Sequence, residues 1–116
     1  MKVTFLGTGT STGIPTIGVE RESCLSSDKR DNRLRSSILI EYKSKSILID
    51  CGPDFRQQML RINKTKIDAI FFTHEHADHT AGLDDIRPIS FHHGKIPIYA
   101  HTVSYTHLTL PTRLMV

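Results

Sequence analysis

Apolar residues in this chain gather into five short runs, each closed by glycine, proline or a polar stretch. Residues 2–6, KVTFL, read as a strand. They stop at Gly7-Thr8-Gly9-Thr10-Ser11-Thr12-Gly13-Ile14-Pro15, a glycine and hydroxyl run unsuited to regular structure. Positions 18–35 are polar without a period and predict a long surface excursion. Residues 36–42 and 46–50 are rich in isoleucine and leucine and predict two further strands. Lys43-Ser44-Lys45 forms a tight turn between them, so the pair reads as a hairpin.

Cys51-Gly52-Pro53-Asp54 ends the third strand and opens a helix, with Pro53 and Asp54 suited to a first turn. Phe55, Met59, Leu60 and Ile62 are its expected buried stripe. Residues 67–72 predict a strand. Residues 80–86 predict a short helix that ends before Pro88, since the position preceding a proline disfavours helix. Residues 96–100 predict one more strand. There is no internal repeat, and the order is mixed: hairpin strands first, then helix alternating with strand.

Length narrows this to one small domain with a core of its own, at 116 residues. An apolar content of 38% and a charged content of 23% are those of an ordinary globular chain. The net charge of +3 carries a mild basic excess at Lys29, Arg30, Arg33 and Arg35. That fits an anionic substrate and fits a solvated surface equally well. Two cysteines, Cys24 and Cys51, exclude a disulfide framework and point to a reducing cytoplasm. The N-terminal apolar run is too short for a signal sequence. No stretch approaches the ~18 apolar residues of a membrane span, so no membrane partner is expected.

From Val103 the pattern changes. Residues 103–112, VSYTHLTLPT, have neither helical period nor strand alternation. One permitted back-translation, GTC TCT TAT ACA CAT CTG ACG CTG CCG ACG, resembles the adapter of transposase-based sequencing libraries. Residues 1–102 are therefore read as the native portion and 103–116 as a non-native tail, with the native protein expected to continue further.

The densest chemistry lies in Phe71-Phe72-Thr73-His74-Glu75-His76-Ala77-Asp78-His79-Thr80. Neutral imidazole and carboxylate are the ligands that Zn²⁺, Fe²⁺ and Mn²⁺ accept. His74 and His76, two apart in an extended turn, can aim both rings at one point. Asp78 and His79 precede an expected helix, and a bend there can turn them toward a second point. Glu75 and Ala77 alternate with these residues and should face elsewhere. A strand, then this loop, then a helix places the cluster at the carboxyl end of a strand, where α/β folds keep their sites. A single histidine in a polar loop would mean little; this spacing means considerably more.

The loop, with Thr73 before it, resembles the defining motif of the metallo-β-lactamase superfamily. Asp50-Cys51-Gly52 is similar to that family's Asp-x-Gly. GTGTSTGIPTIG, the Cys24 region and GLDDIRP resemble the subgroup of ribonuclease Z and the phosphoribosyl 1,2-cyclic phosphate phosphodiesterase, the latter more closely. The resemblance implies an α/β fold, the N-terminal half of an αββα sandwich. It also implies two divalent metal ions, zinc in preference to manganese or iron. His74 and His76 would hold one ion, and Asp78 and His79 the other, with Asp78 the catalytic candidate. A hydroxide bridging the ions would attack phosphorus.

Asp50 would accept a hydrogen bond from a ligand imidazole and fix its tautomer. Plainer roles stay open: a loop-capping carboxylate for Asp78, and a turn-forming one for Asp50. The glycine loop could present N–H groups to an anion or serve as a structural turn. No Ser-His or Cys-His nucleophile stands out.

Two departures limit the resemblance. The subgroup's C-x-C-x-x-C zinc cluster is reduced to Cys24, with Val19 and Arg21 in the other places, so that structural zinc is expected to be absent. The family's later ligands lie in its second half, and His92, His93, His101 and His107 stand in no matching context. Asp84 and Asp85 read as capping or surface acids. The expected function is a hydrolase of a small cyclic or linear phosphodiester, inactive as this fragment. Half a sandwich should also leave an apolar sheet face bare and dissolve poorly. The alternatives are a tRNA 3′-end endonuclease, which would bring nucleic acid as partner, and a metal-binding fragment without catalysis.

Overall fold

A computed structural model of the chain describes residues 1–21 and 25–102. Cys24 and the tail from Val103, with His107 in it, lie outside the described residues. Five strands form one mixed sheet in sequence order: β1 (Lys2–Gly7), β2 (Ser37–Tyr42), β3 (Lys45–Ile49), β4 (Ala69–Phe71) and β5 (Ile98–Tyr99). β1, β2 and β3 pair antiparallel, and β3, β4 and β5 pair parallel. β1, β3, β4 and β5 therefore run the same way, and their carboxyl ends share one edge. The hairpin turn needs only Lys43 and Ser44, both left-handed at φ 47° and 65°. Lys45 begins β3 instead of ending the turn.

Alternation along the strands separates two faces. Leu39, Leu48 and Ile70 lie in register on one face and are fully buried. On this face packs α1 (Phe55–Ile62), through Phe55 and Met59. Gln58 is buried beside them and donates to the Arg35 carbonyl at 2.9 Å. Leu60, expected in the stripe, is 63% exposed, while Ile62 packs against the core. At 100° per residue, Leu60 points away once Phe55, Gln58 and Met59 set the buried side. α1 ends on Asn63 at φ 57°, with the Lys64 N–H returning to the Met59 carbonyl at 3.1 Å.

The second face carries Phe5, Ile38, Ile49, Phe71 and Tyr99 in one register row. Phe5 is 69% exposed, and the Phe71 and Tyr99 rings stack at 4.5 Å. Phe71 and Tyr99 are exposed as well, and Ile38 and Ile49, between Phe5 and Phe71 in the row, are half-buried.

The region after β4 corrects three expectations. α2 (Ala77–Thr80) already contains Asp78 and His79, so the helical turn begins before them. A 3₁₀ turn follows at Leu83–Ile86. α3 (Arg87–His93) then contains Pro88 in its first turn instead of stopping ahead of it. Proline is tolerated there because its missing N–H would have no helical partner in any case. His92 and His93 accordingly lie in the last turn of a helix and are exposed. Among the described residues, no helix is long and apolar enough to cross a membrane.

Candidate metal centre

The site is built at the carboxyl ends of β3 and β4, and its organiser is Asp50. Asp50 leaves β3 at φ 66°, a conformation costing a non-glycine residue about 1–2 kcal/mol. Its main chain is held at both ends. The Asp50 N–H donates to the Phe71 carbonyl at 2.9 Å, and Ser37 Oγ donates to the Asp50 carbonyl at 2.9 Å. The side chain, only 4% exposed with its residue, collects three donors. Oδ1 accepts from the Thr73 N–H at 2.8 Å, and Oδ2 accepts from Thr73 Oγ1 at 2.7 Å. His79 Nδ1 lies 2.6 Å from Oδ2. An ionised carboxylate only accepts, so the hydrogen of this bond belongs to Nδ1. Nε2 of His79 is then the nitrogen turned toward the site, facing Asp78 Oδ2 at 2.9 Å.

Backbone contacts clasp the Asp78–His79 turn onto residues 50–52. The Cys51 N–H donates to the His79 carbonyl at 2.8 Å, and the Gly82 N–H to the Cys51 carbonyl at 2.9 Å. A Cβ on Gly52 would come within 2.2 Å of the Asp78 carbonyl oxygen, and one on Gly82 within 2.0 Å of the Gly52 carbonyl oxygen. Neither neighbour is a side chain that could move aside. Sequence reasoning quoted both glycines and gave neither a role, although their places in Asp-x-Gly and GLDD were the available signal. Cys51 itself is fully buried. Burial, with the charges of Asp85 and Asp50, pushes its thiol well above the usual range, so it offers no thiolate nucleophile.

The histidines gather without separating into two pairs. The His74 ring centroid is 4.1 Å from that of His79 and 4.6 Å from that of His76. His74, Asp78 and His79 are half-buried and His76 is exposed. Among the described residues, no three His, Cys, Asp or Glu side chains form a closed set of ligands. The donor chemistry nonetheless fits a divalent cation. His79 Nε2 and Asp78 Oδ2, two lone-pair atoms 2.9 Å apart, need a proton or a metal ion between them. The fit is that of part of a coordination shell.

Asp84 and Asp85 are exposed in the 3₁₀ turn, and His101 is exposed after β5. Three amides of the glycine loop after β1 are spent on main-chain carbonyls. Gly9 N–H donates to the Leu34 carbonyl at 2.7 Å, Gly13 N–H to Thr10 at 3.0 Å, and Ile14 N–H to Arg33 at 2.9 Å. Those amides serve a structural turn and are not available to an anion.

The model of the Beta-lactamase superfamily domain matches residues 45–114. An octanoyltransferase of Porphyromonas gingivalis is 48% identical over 101 residues, covering 86% of this chain and 20% of that protein. A ribonuclease Z of Methanococcus maripaludis is 34% identical over 101 residues, covering 84% of this chain and 28% of that protein. A crystal structure of a diphosphatase from the PhnP family is 50% identical with a TM-score of 0.88, covering 91% of this chain and 43% of the other. The chain thus spans between 20% and 43% of the length of these three proteins.

Proposed function

The chain belongs to the metallo-β-lactamase superfamily, and on that premise we propose that it is the N-terminal portion of a metal-dependent phosphodiester hydrolase. The observation that carries the reading is the Asp50 constellation. One buried carboxylate fixes His79 at Nδ1, and Nε2 is left opposite Asp78 Oδ2 at 2.9 Å. A surface cluster of histidines has no need of such support. The 50% identity to a diphosphatase supports phosphorus–oxygen chemistry over other reactions of the superfamily.

In this reading His74, His76, Asp78 and His79 hold two divalent ions, zinc in preference to manganese or iron. Such ions supply a water of lowered pKa and neutralise charge developing on phosphoryl oxygen. Asp78 would serve as a ligand and is the catalytic candidate among the four. Asp50 keeps His79 in its ligating tautomer, and the clasp at Gly52 and Gly82 holds the Asp78 main chain in place. Residues 1–102 supply this half of the site, and further ligands come from protein beyond them. The substrate is a small cyclic or linear phosphodiester. The ribonuclease Z likeness favours a second reading, cleavage at tRNA 3′ ends.

The test compares this chain with the uninterrupted protein, both zinc-loaded, on bis(p-nitrophenyl) phosphate and on a tRNA precursor. Turnover of the small ester by the longer protein alone is expected. Full activity from the 116 residues would overturn the need for further ligands. A longer protein inert toward both substrates would overturn the reaction class.

A further inference from the structure

Thr73 stands between Asp50 and His74, and we infer that its hydroxyl relays the Asp50 carboxylate to His74. A single buried carboxylate would then orient two of the ligand imidazoles. The inference rests on the ligand roles proposed above for His74 and His79.

Proton counting carries it. Thr73 Oγ1 lies 2.7 Å from Asp50 Oδ2 and 2.9 Å from His74 Nδ1. A hydroxyl has one hydrogen to donate, and the ionised carboxylate can only accept. The hydrogen therefore goes to Asp50. The oxygen's remaining lone pairs must meet a donor, so Nδ1 of His74 carries hydrogen and donates to Oγ1. Nε2 becomes the bare nitrogen of His74, the atom free to ligate. His79 reaches the same state directly, with Nδ1 on Asp50 Oδ2 at 2.6 Å. Meanwhile the Thr73 N–H holds Oδ1 at 2.8 Å, which keeps the carboxylate from rotating away from its other two donors.

Packing does not explain Thr73, which is exposed. What singles it out is that its amide and its hydroxyl both serve one carboxylate, while the same hydroxyl meets the neighbouring imidazole. Thr73 is on this account a positioning residue. It acts through His74.

The experiment uses the whole chain with Thr73→Val, which keeps the shape and removes the hydroxyl, and Thr73→Ser, which keeps the hydroxyl. Long-range ¹H–¹⁵N spectra of the metal-free chain read the His74 tautomer, and zinc titration reads affinity. The wild type should show His74 protonated at Nδ1. Thr73→Val should lose that preference and bind zinc about tenfold more weakly, and Thr73→Ser should stay within about twofold of wild type. The relay is overturned if Thr73→Val keeps both the tautomer and the affinity. It is equally overturned if Thr73→Ser falls as far as Thr73→Val, or if wild-type His74 is protonated at Nε2. A wild type that binds no zinc, but whose tautomer answers to Thr73→Val, keeps the relay and shows that these side chains do not hold the ion without ligands from protein beyond them. Tight zinc binding that ignores Thr73→Val overturns the relay and keeps the metal reading.

Discussion

The loop after β1 and the loop after β4 leave the same edge of the sheet, both polar and both dense in hydrogen-bonding groups. In the first, the main chain does the bonding. Gly9, Gly13 and Ile14 turn their amides onto carbonyls at 2.7–3.0 Å, the hydroxyls of Thr10, Thr12 and Thr16 meet one another at 3.3–3.4 Å, and Thr16 Oγ1 also donates to the Gly13 carbonyl at 3.0 Å. In the second, the side chains do the bonding: Thr73 and His79 converge on Asp50, and His74 is reached through Thr73. The first loop is glycine-rich because its backbone lies against residues 33–35. A Cβ on Gly7 would fall 2.0 Å from the Arg35 carbonyl oxygen, and one on Gly9 2.7 Å from that of Arg33. The second loop tolerates side chains because it projects them. Polar density alone therefore does not mark a site. What marks it is side chains organised by a buried charge.

The largest effect should come from Asp50→Asn. Asparagine accepts the positive φ and keeps the shape. Its amide can still accept from the Thr73 N–H, but it sets a donor against Thr73 Oγ1 and His79 Nδ1. Zinc affinity by calorimetry should fall about 10–100-fold, and stability by about 1–3 kcal/mol in thermal melts. An unchanged affinity would leave the second loop no more special than the first.

Next in size is Gly9→Ala in the first loop. Its added methyl meets main chain, so unfolding free energy should drop by about 1–3 kcal/mol in urea titration, with zinc affinity of the folded chain unchanged. A large loss of affinity would join the two loops into one site.

The smallest effect lies at the opposite edge of the sheet and serves as a baseline. Lys64 holds Glu41 below the usual carboxylate range. Burial works to raise Asp68, but the Ser46 N–H and the charges of Lys66 and Lys45 outweigh it and hold the pKa down. Depressed folded values mean that this stability is present above about pH 4 and lost as pH falls through the folded pKa values. Asp68→Asn should flatten the acid side of the stability profile slightly and leave zinc affinity at pH 7 alone.

Sequence reasoning reached the histidine loop because H-x-H-x-D-H is contiguous, and it reached the sheet because β-branched runs and turns are local signals. It reached Asp50 through Asp-x-Gly. It missed the clasp because Gly52 and Gly82 matter only where chain segments about thirty residues apart touch. Arg35, left open between substrate contact and solvated surface, pairs with Asp54 at 3.0 Å, and that pairing was illegible for the same reason: the partner is 19 positions away. Leu60 and Pro88 were misjudged because burial on α1 and continuation through the 3₁₀ turn were decided by packing, against local preference.

The left-handed backbone of Asp50 has a consequence for the order of folding. The β2–β3 hairpin closes through neighbours in sequence, but Asp50 at its end gains nothing from an unfavourable dihedral until Thr73 and His79 arrive. The hairpin can therefore form while this corner stays undecided, and the corner should be the last part to assemble and the first to open. A bound cation would act as a latch on that corner, joining hairpin, α1 and the histidine turn into one cooperative unit.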